Sequence, residues 1–278
     1  MATGSQTWTE ELIEVGPTRL KIITGGVGRP LLILHGELGY SGWLKYHETL
    51  AQNYKLHIPL LPGFGVTSRV DWIMNIRDMA SWYLGVLDAS EQKDLNVVGF
   101  SLGGWLAAEM AAMCPHHFQS LTLVGAMGIK PPTGEIFDMF LVVAKEYLAK
   151  GILSPQEVEE FKIICPDEVS PEQLEAWALA REESSRLGWK PYMHDLSLPN
   201  LLNRLKELPT LLVWGKEDQI VPPSAAEVYS DSIDKSQIVL LDNCGHQPEI
   251  EHPDKFAQIV DDFVSKSSFP ASRSKSST

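Results

Sequence analysis

Gly99-Phe100-Ser101-Leu102-Gly103 is the stretch of this chain with the clearest chemical content. A serine between glycines, directly after a strand-like run (Asn96 to Phe100) and before a helix-like one (Leu102 to Met113), predicts a sharp strand-to-helix turn. Such a turn strains the serine backbone and exposes its Oγ at the carboxyl edge of a sheet. The helix N-terminus then lies beneath the point where negative charge would develop. A serine hydroxyl is inert at neutral pH without a base. Of eight histidines, His246, in Asn243-Cys244-Gly245-His246 just past the last strand-like run, is expected on the same sheet edge. His116 and His117 read as a solvated helix end, His47, His194 and His252 as polar helical or loop positions, and His57 as a core residue. The base needs a carboxylate to fix its tautomer and stabilise the imidazolium. Asp218 stands just after the strand-like Leu211-Leu212-Val213-Trp214 and before Ile220-Val221-Pro222, which resembles a packed turn; neighbouring Glu217 reads as solvated. The chemistry so assembled is attack by Ser101, with His246 as its base and Asp218 orienting the ring.

A sheet must carry these groups. Glu11 to Val15 and Arg19 to Ile23 alternate apolar with polar around Gly16-Pro17, which predicts an antiparallel hairpin at a sheet edge. Leu31 to Leu34, Leu56 to Leu60, Asn96 to Phe100, Leu121 to Val124, Leu211 to Trp214 and Ile238 to Leu241 are short and mostly apolar, as in strands of a parallel sheet buried on both faces. Between them lie segments of helical spacing, such as Ile76-Met79-Trp82-Tyr83-Val86 and Phe256-Ile259-Val260-Phe263. The alternation is that of an α/β protein. From Ile129 to Leu205 only helical candidates occur, among them Phe137 to Ala149 and Pro155 to Ile164, which predicts a helical insertion mounted on the sheet. The expected division is a core of residues 1–128 and 206–266, a helical cap of residues 129–205, and a frayed Ser-rich tail of residues 267–278.

Composition narrows the rest. With 278 residues, 44% apolar and 21% charged, the chain is neither disordered nor a coiled coil nor collagen-like. No run approaches the roughly 18 apolar residues of a membrane span, and the first ten residues lack the pattern of a secretory signal. The net charge of −13 repels phosphate backbones and anionic membranes, so neither nucleic acid nor membrane is an expected partner. Cys114, Cys165 and Cys244 are scattered without C-x-x-C spacing, which argues against a disulfide framework or zinc site and for a cytoplasmic location. No metal or cofactor motif is found.

The chain resembles the α/β-hydrolase superfamily in its helical-cap branch, from about Glu11 to Ser265. The matching pieces are Leu34-His35-Gly36, Pro62-Gly63-Phe64-Gly65, Gly99 to Gly104, Val213-Trp214-Gly215 leading to Asp218, and Gly245-His246. The order Ser101, Asp218, His246 is the one this scaffold uses. The resemblance implies an eight-stranded, mostly parallel sheet with helices on both faces. It also implies an oxyanion hole from the backbone N–H groups of Glu37 and Leu102, each such donor worth about 3 kcal/mol, and a loop-ordering role for His35. Two positions depart from the family pattern: Leu60 replaces an aspartate, and Glu37 puts a carboxylate beside the oxyanion. The Glu37 side chain is therefore expected to turn outward or to meet a polar substrate group. Gly36 and Phe100, with Phe137, Phe140, Trp177 and Trp189 of the cap, are expected to line the substrate pocket. Met139, Val143, Tyr147 and Tyr192 are also available, and most of the cap's apolar residues should form its own core.

Ser101 argues against the aspartate-nucleophile dehalogenases and epoxide hydrolases, and Leu102 against proline iminopeptidases, which carry Trp there. The insertion holds 13 acidic and 8 basic residues, which disfavours a strongly anionic substrate. The reading that follows is a hydrolase of a small to medium, fairly apolar carboxylic ester, with ester and water as its partners. Hydrolysis of the C–C bond of ring-fission diketones is the first alternative, although Glu37-Leu38-Gly39 and Gln247 depart from that group's Gly-Pro-Gly and Trp. A catalytically silent receptor for a small molecule is the second.

Overall fold

The structure is a computed structural model that describes residues 7–16, 18–90 and 92–267. Residues 268–278, where the frayed tail was expected, and residues 1–6 lie outside the described residues. Eight strands form one sheet in the order β1-β2-β4-β3-β5-β6-β7-β8. β1 (Trp8–Val15) and β2 (Thr18–Gly25) make the antiparallel edge hairpin, and β2 is also antiparallel to β4 (Tyr54–Pro59). β3 (Arg29–Leu34), β4, β5 (Leu95–Phe100), β6 (Phe118–Val124), β7 (Thr210–Gly215) and β8 (Ser236–Leu241) run parallel.

Side chains alternate between the two faces of each strand. Leu32, Leu34, Val97, Leu121, Leu123, Leu212 and Trp214 therefore meet one set of helices, and Leu31, Ile33, Val98, Phe100, Val124, Leu211 and Val213 the other. On the first face lie α2 (Ile76–Ala89), α3 (Ser101–Met113) and α8 (Ser224–Ser232); on the second lie α1 (Lys45–Leu50) and α10 (Pro253–Ser267), with the short α9 (Pro248–Glu251) beside them. α3 is buried on every side from Ser101 to Ala112, as befits the helix under the sheet's centre. β8 differs from the expected strand buried on both faces. It is the outer strand of the sheet, and Ile238 and Leu240 are exposed.

Between β6 and β7 the chain carries α4 (Ala144–Lys150), α5 (Phe161–Ile164), α6 (Pro171–Gly188) and α7 (Leu198–Leu202) and none of the sheet's strands. The first two helical candidates are shorter than expected. Phe137 to Ala149 breaks at extended Val142 and Val143, and Pro155 to Ile164 is a single 3-10 turn followed by four helical residues. The long helix is α6, started by Ser170, whose Oγ accepts the Gln173 N–H at 3.2 Å, with Pro171 in the first turn. Two ion-pair clusters tie this segment down. Glu183, buried, meets Arg69 (2.8 Å) and Arg186; Arg77 bridges buried Glu109 of α3 (3.0 Å) to Asp195 (2.6 Å). Removing Arg77 would leave the buried Glu109 carboxylate without its cation, the costly way to break such a pair, whereas Glu183 keeps one arginine if the other is lost. Among the described residues no helix is long and apolar enough to cross a membrane.

Candidate active site

Ser101 is the residue at which β5 becomes α3, and its φ is +49°, left-handed geometry that a non-glycine residue adopts only under constraint. The constraint is packing. A Cβ on Gly103 would lie 2.4 Å from the carbonyl oxygens of Leu34 and His35, so only glycine lets α3 approach β3 this closely. The Ser101 hydroxyl is 3.0 Å from His246 Nε2, and His246 Nδ1 is 2.8 Å from Asp218 Oδ2. The other Asp218 oxygen accepts the N–H groups of Ile220 (2.8 Å) and Val221 (2.9 Å). A carboxylate so held receives the Nδ1 proton and leaves Nε2 free to accept from serine. Burial by itself lowers the His246 pKa. The Asp218 charge and hydrogen bond, with Glu37 and Glu249, outweigh it and hold the ring above its usual value.

The loops bearing these groups are cross-braced. A Cβ on Gly215 would lie 2.0 Å from the Gly245 carbonyl oxygen, so the Asp218 and His246 loops touch backbone to backbone. Glu217 accepts the Cys244 N–H (3.0 Å), Glu251 accepts the Gly245 N–H (2.6 Å), and the His246 N–H donates to the Gly151 carbonyl ahead of α5 (2.7 Å).

His35 orders the loop after β3. Its Nε2 accepts the Leu61 N–H (3.2 Å), so its proton sits on Nδ1 and is donated to the Gly36 carbonyl (2.9 Å). Burial lowers its pKa to about 4, so the ring is neutral. Gly39 N–H also donates to that carbonyl (3.1 Å). With Gly36 oxygen held, peptide planarity turns the Glu37 N–H to the opposite side. The loop passes close to the serine, since a Cβ on Gly36 would be 3.5 Å from Ser101 Cβ. Leu102 lies in the first turn of α3, where N–H groups have no helical acceptor.

The Glu37 side chain does not turn outward. It is buried, with Oε1 accepting from the Tyr147 hydroxyl at 2.8 Å, while the Glu37 carbonyl accepts from Ser184 Oγ at 2.7 Å. Two helices of the insertion, α4 and α6, thus grip this one residue.

A narrow cavity of about 80 Å³ opens beside Ser101 and His246. Gly36 and Phe100 line it, whereas Phe137, Phe140, Trp177 and Trp189 do not. Phe137 stacks on Tyr147, Phe140 packs edge-on to Trp189 at the surface, and Trp177 is buried in the apolar cluster of α4 and α5. Because the chain is extended at Val142 and Val143, α4 turns Leu148 toward the cavity, and α5 adds Ile164. Tyr40, His47 and Glu249 also line the cavity, and sequence reasoning missed all three. His47, read as a polar helical position, is buried, and so is His117, read as a solvated helix end. The signal available for His47 was its setting in Trp43-Leu44-Lys45-Tyr46-His47, an aromatic-rich start of a helix that follows the Glu37 loop. Among the described residues no group of three or more His, Cys, Asp or Glu could hold a metal.

Residues 31–259 match the model of the alpha/beta hydrolase family. The chain is 27% identical over 267 residues to a 2-hydroxymuconate semialdehyde hydrolase of Pseudomonas sp. (strain CF600), covering 92% of this chain and 93% of that one. It is 28% identical over 260 residues to a monoacylglycerol lipase of Mus musculus, covering 85% and 77%. Its fold is similar to a membrane phospholipase A described as a bacterial virulence factor, with a TM-score of 0.76 at 24% identity over 94% of this chain and 87% of that one. The match of the family model across most of the chain, on an eight-stranded sheet of this order, shows that the protein belongs to the alpha/beta hydrolase family.

Proposed function

We propose that the protein is a serine hydrolase that cleaves a small to medium carboxylic ester through an acyl-enzyme. The observation that carries this reading is the unbroken hydrogen-bonded chain from Ser101 Oγ through His246 to Asp218, with the serine at a strained left-handed corner. Ser101 Oγ attacks the ester carbonyl carbon as its proton passes to His246 Nε2. The carbonyl electrons move onto oxygen, where the N–H groups of Glu37 and Leu102 receive the charge. As the tetrahedral species collapses, the C–O bond to the alcohol breaks and His246 gives the leaving oxygen its proton. Water then repeats the cycle on the acyl-serine, releasing the acid and restoring the hydroxyl. Three free cysteines support a reducing, cytoplasmic setting.

Turnover of p-nitrophenyl acetate and butyrate, with fluorophosphonate labelling and Ser101→Ala as control, tests this. Sustained turnover lost in the variant is expected; labelling without turnover would point to a small-molecule receptor. A second reading, C–C bond hydrolysis of ring-fission diketones, draws on the likeness to the 2-hydroxymuconate semialdehyde hydrolase. It predicts turnover of such diketones and none of simple esters. The carboxyl groups of Glu37 and Glu249 in the cavity weigh against that reading for any anionic substrate.

A further inference from the structure

Among the described residues, ten buried side-chain atoms have no hydrogen-bond partner, and four of them belong to residues lining the cavity beside Ser101: Tyr40 Oη, His47 Nε2, Glu37 Oε2 and Glu249 Oε2. An unpaired buried polar group forfeits the hydrogen bond it had with water, so such a cluster in one place asks for an occupant that pairs it. Glu37 and His47 are nearly inaccessible, at 4% and 1% exposure, which makes this wall a built feature rather than a solvated rim.

The donor and acceptor roles can be assigned. The Leu44 N–H donates to His47 Nδ1 at 2.9 Å, and burial lowers the ring's pKa to about 3, so His47 is neutral with its proton on Nε2. It offers a donor. Glu37 Oε1 is taken by Tyr147, leaving Oε2 as an acceptor. Tyr40 can do either. Burial pushes the Glu249 carboxyl up to about 8, against the pull of its own backbone N–H and of His246 and with Glu251 and Glu37 adding to the rise. Near neutral pH it too can donate or accept.

An ammonium group would use only the acceptors and leave the His47 N–H facing a cation. A carboxylate would meet Glu37. A hydroxyl both donates and accepts, and matches the mixed set. We propose that this wall is a subsite for hydroxyl groups of the substrate, so that the ester cleaved at Ser101 carries one or more hydroxyls near its carbonyl, on the alcohol or the acyl side. The substrate class in this proposal rests on the ester-hydrolase reading above and replaces the fairly apolar ester with a hydroxylated one.

Calorimetric titration of Ser101→Ala, which binds ester without cleaving it, tests the subsite. The probes are two matched pairs: 2,3-dihydroxypropyl butyrate against propyl butyrate, and ethyl 3-hydroxybutyrate against ethyl butyrate. The hydroxylated member of at least one pair is expected to bind tenfold tighter or more, and the pair that responds tells which side bears the hydroxyls. Adding Tyr40→Phe, which removes a hydroxyl with no partner to lose and should leave the melting temperature unchanged, is expected to shrink that ratio to threefold or less. Equal binding within both pairs overturns the proposal. So does a preference for choline butyrate over 3,3-dimethylbutyl butyrate larger than either hydroxyl preference, and so does a ratio untouched by Tyr40→Phe and Glu249→Gln. Cleavage of ester by Ser101→Ala would overturn the nucleophile assignment instead, and the kcat/KM ratio within each pair would then decide the subsite.

Discussion

Ser101, His246 and Asp218 form one hydrogen-bonded chain beside the cavity, and the Ile220 and Val221 amides donate to the carboxylate at its end. Tyr40, His47 and Glu249, which line the cavity, each carry a buried polar atom with no partner. The first wall is complete within the protein itself; in the proposal above, substrate hydroxyls complete the second. Groups that must act on a developing charge have to be in place beforehand, because reorganising them during reaction would raise the barrier. Groups that select a substrate can stay unpaired, since an ill-matched substrate then leaves them unpaired and is rejected. Chemistry and selectivity therefore fail differently under mutation.

Breaking the first wall has the largest effect. Ser101→Ala should lower kcat for any ester about 10⁵-fold or more, with no fall in melting temperature; His246→Ala should do the same, and the double variant little worse, since the two act as a unit. Steady-state assays with p-nitrophenyl butyrate check this. Asp218→Asn keeps an oxygen for the Ile220 and Val221 amides but can turn an N–H toward His246 Nδ1, which favours the wrong tautomer; a loss of about 10⁴-fold in kcat is expected. Gly103→Ala attacks the corner from beneath. Its Cβ would meet the Leu34 and His35 carbonyl oxygens at 2.4 Å, and a loss of about 3 kcal/mol in denaturant titration is expected, with activity falling in step. A fully active, fully stable variant would show that packing does not hold the corner.

The first wall was also the more legible in sequence, and for the same physical reason. A strained serine at a strand-to-helix turn needs small residues at set offsets, so Gly99, Ser101 and Gly103 announce it within five positions. Asp218 and His246 each follow a strand of distinctive apolar character, and strand ends converge on one edge of a parallel sheet. The strands themselves were read closely because burial on both faces leaves near-continuous apolar runs. β8 was misjudged because an outer strand can keep the same composition while exposing Leu240. The second wall gave no comparable signal. Tyr40, His47 and Glu249 come from a loop and two short helices, and only the aromatic-rich run from Trp43 to His47 hinted that one of them is buried. The insertion was misread in detail for a related reason. Phe137, Phe140 and Trp189 look like pocket residues by type, but Phe137 stacks on Tyr147 while Phe140 and Trp189 pack on each other at the surface, pairings that apolar spacing does not reveal.

Between the walls lies an electrostatic link that a pH profile can expose. The Asp218, Glu37 and Glu249 carboxyls hold the His246 pKa up against burial. The base form that attack requires then accumulates only as pH rises, so kcat/KM for a neutral ester should climb through an inflection above the ordinary imidazole value of about 6.5. Removing the Glu249 charge weakens the hold on that proton, and Glu249→Gln should move the inflection down. The corresponding stability runs the same way: the gain from a raised histidine pKa is fully present below about pH 6.5 and is lost as pH climbs through the folded-state value. An inflection that stays put or rises in Glu249→Gln would separate the two walls electrostatically.

The smallest expected effect concerns Glu37, the residue shared by both walls. It lines the cavity, its N–H is the candidate oxyanion donor, and its carbonyl is held by Ser184 Oγ at 2.7 Å. Ser184→Ala removes that one bond while leaving the Tyr147 contact to the carboxylate intact. Loss of a single buried hydrogen bond is worth about 1 kcal/mol, or roughly fivefold in rate if it is felt only in the transition state. The expected signature is a fall of that size in kcat with KM unchanged, because the oxyanion forms after substrate has bound. Tyr147→Phe acts on the other end of the residue, freeing the second carboxylate oxygen, and should instead change KM for hydroxylated esters more than kcat. If both variants altered kcat and KM in the same proportion, Glu37 would be one rigid unit, and the division between a wall for chemistry and a wall for selection would not pass through it.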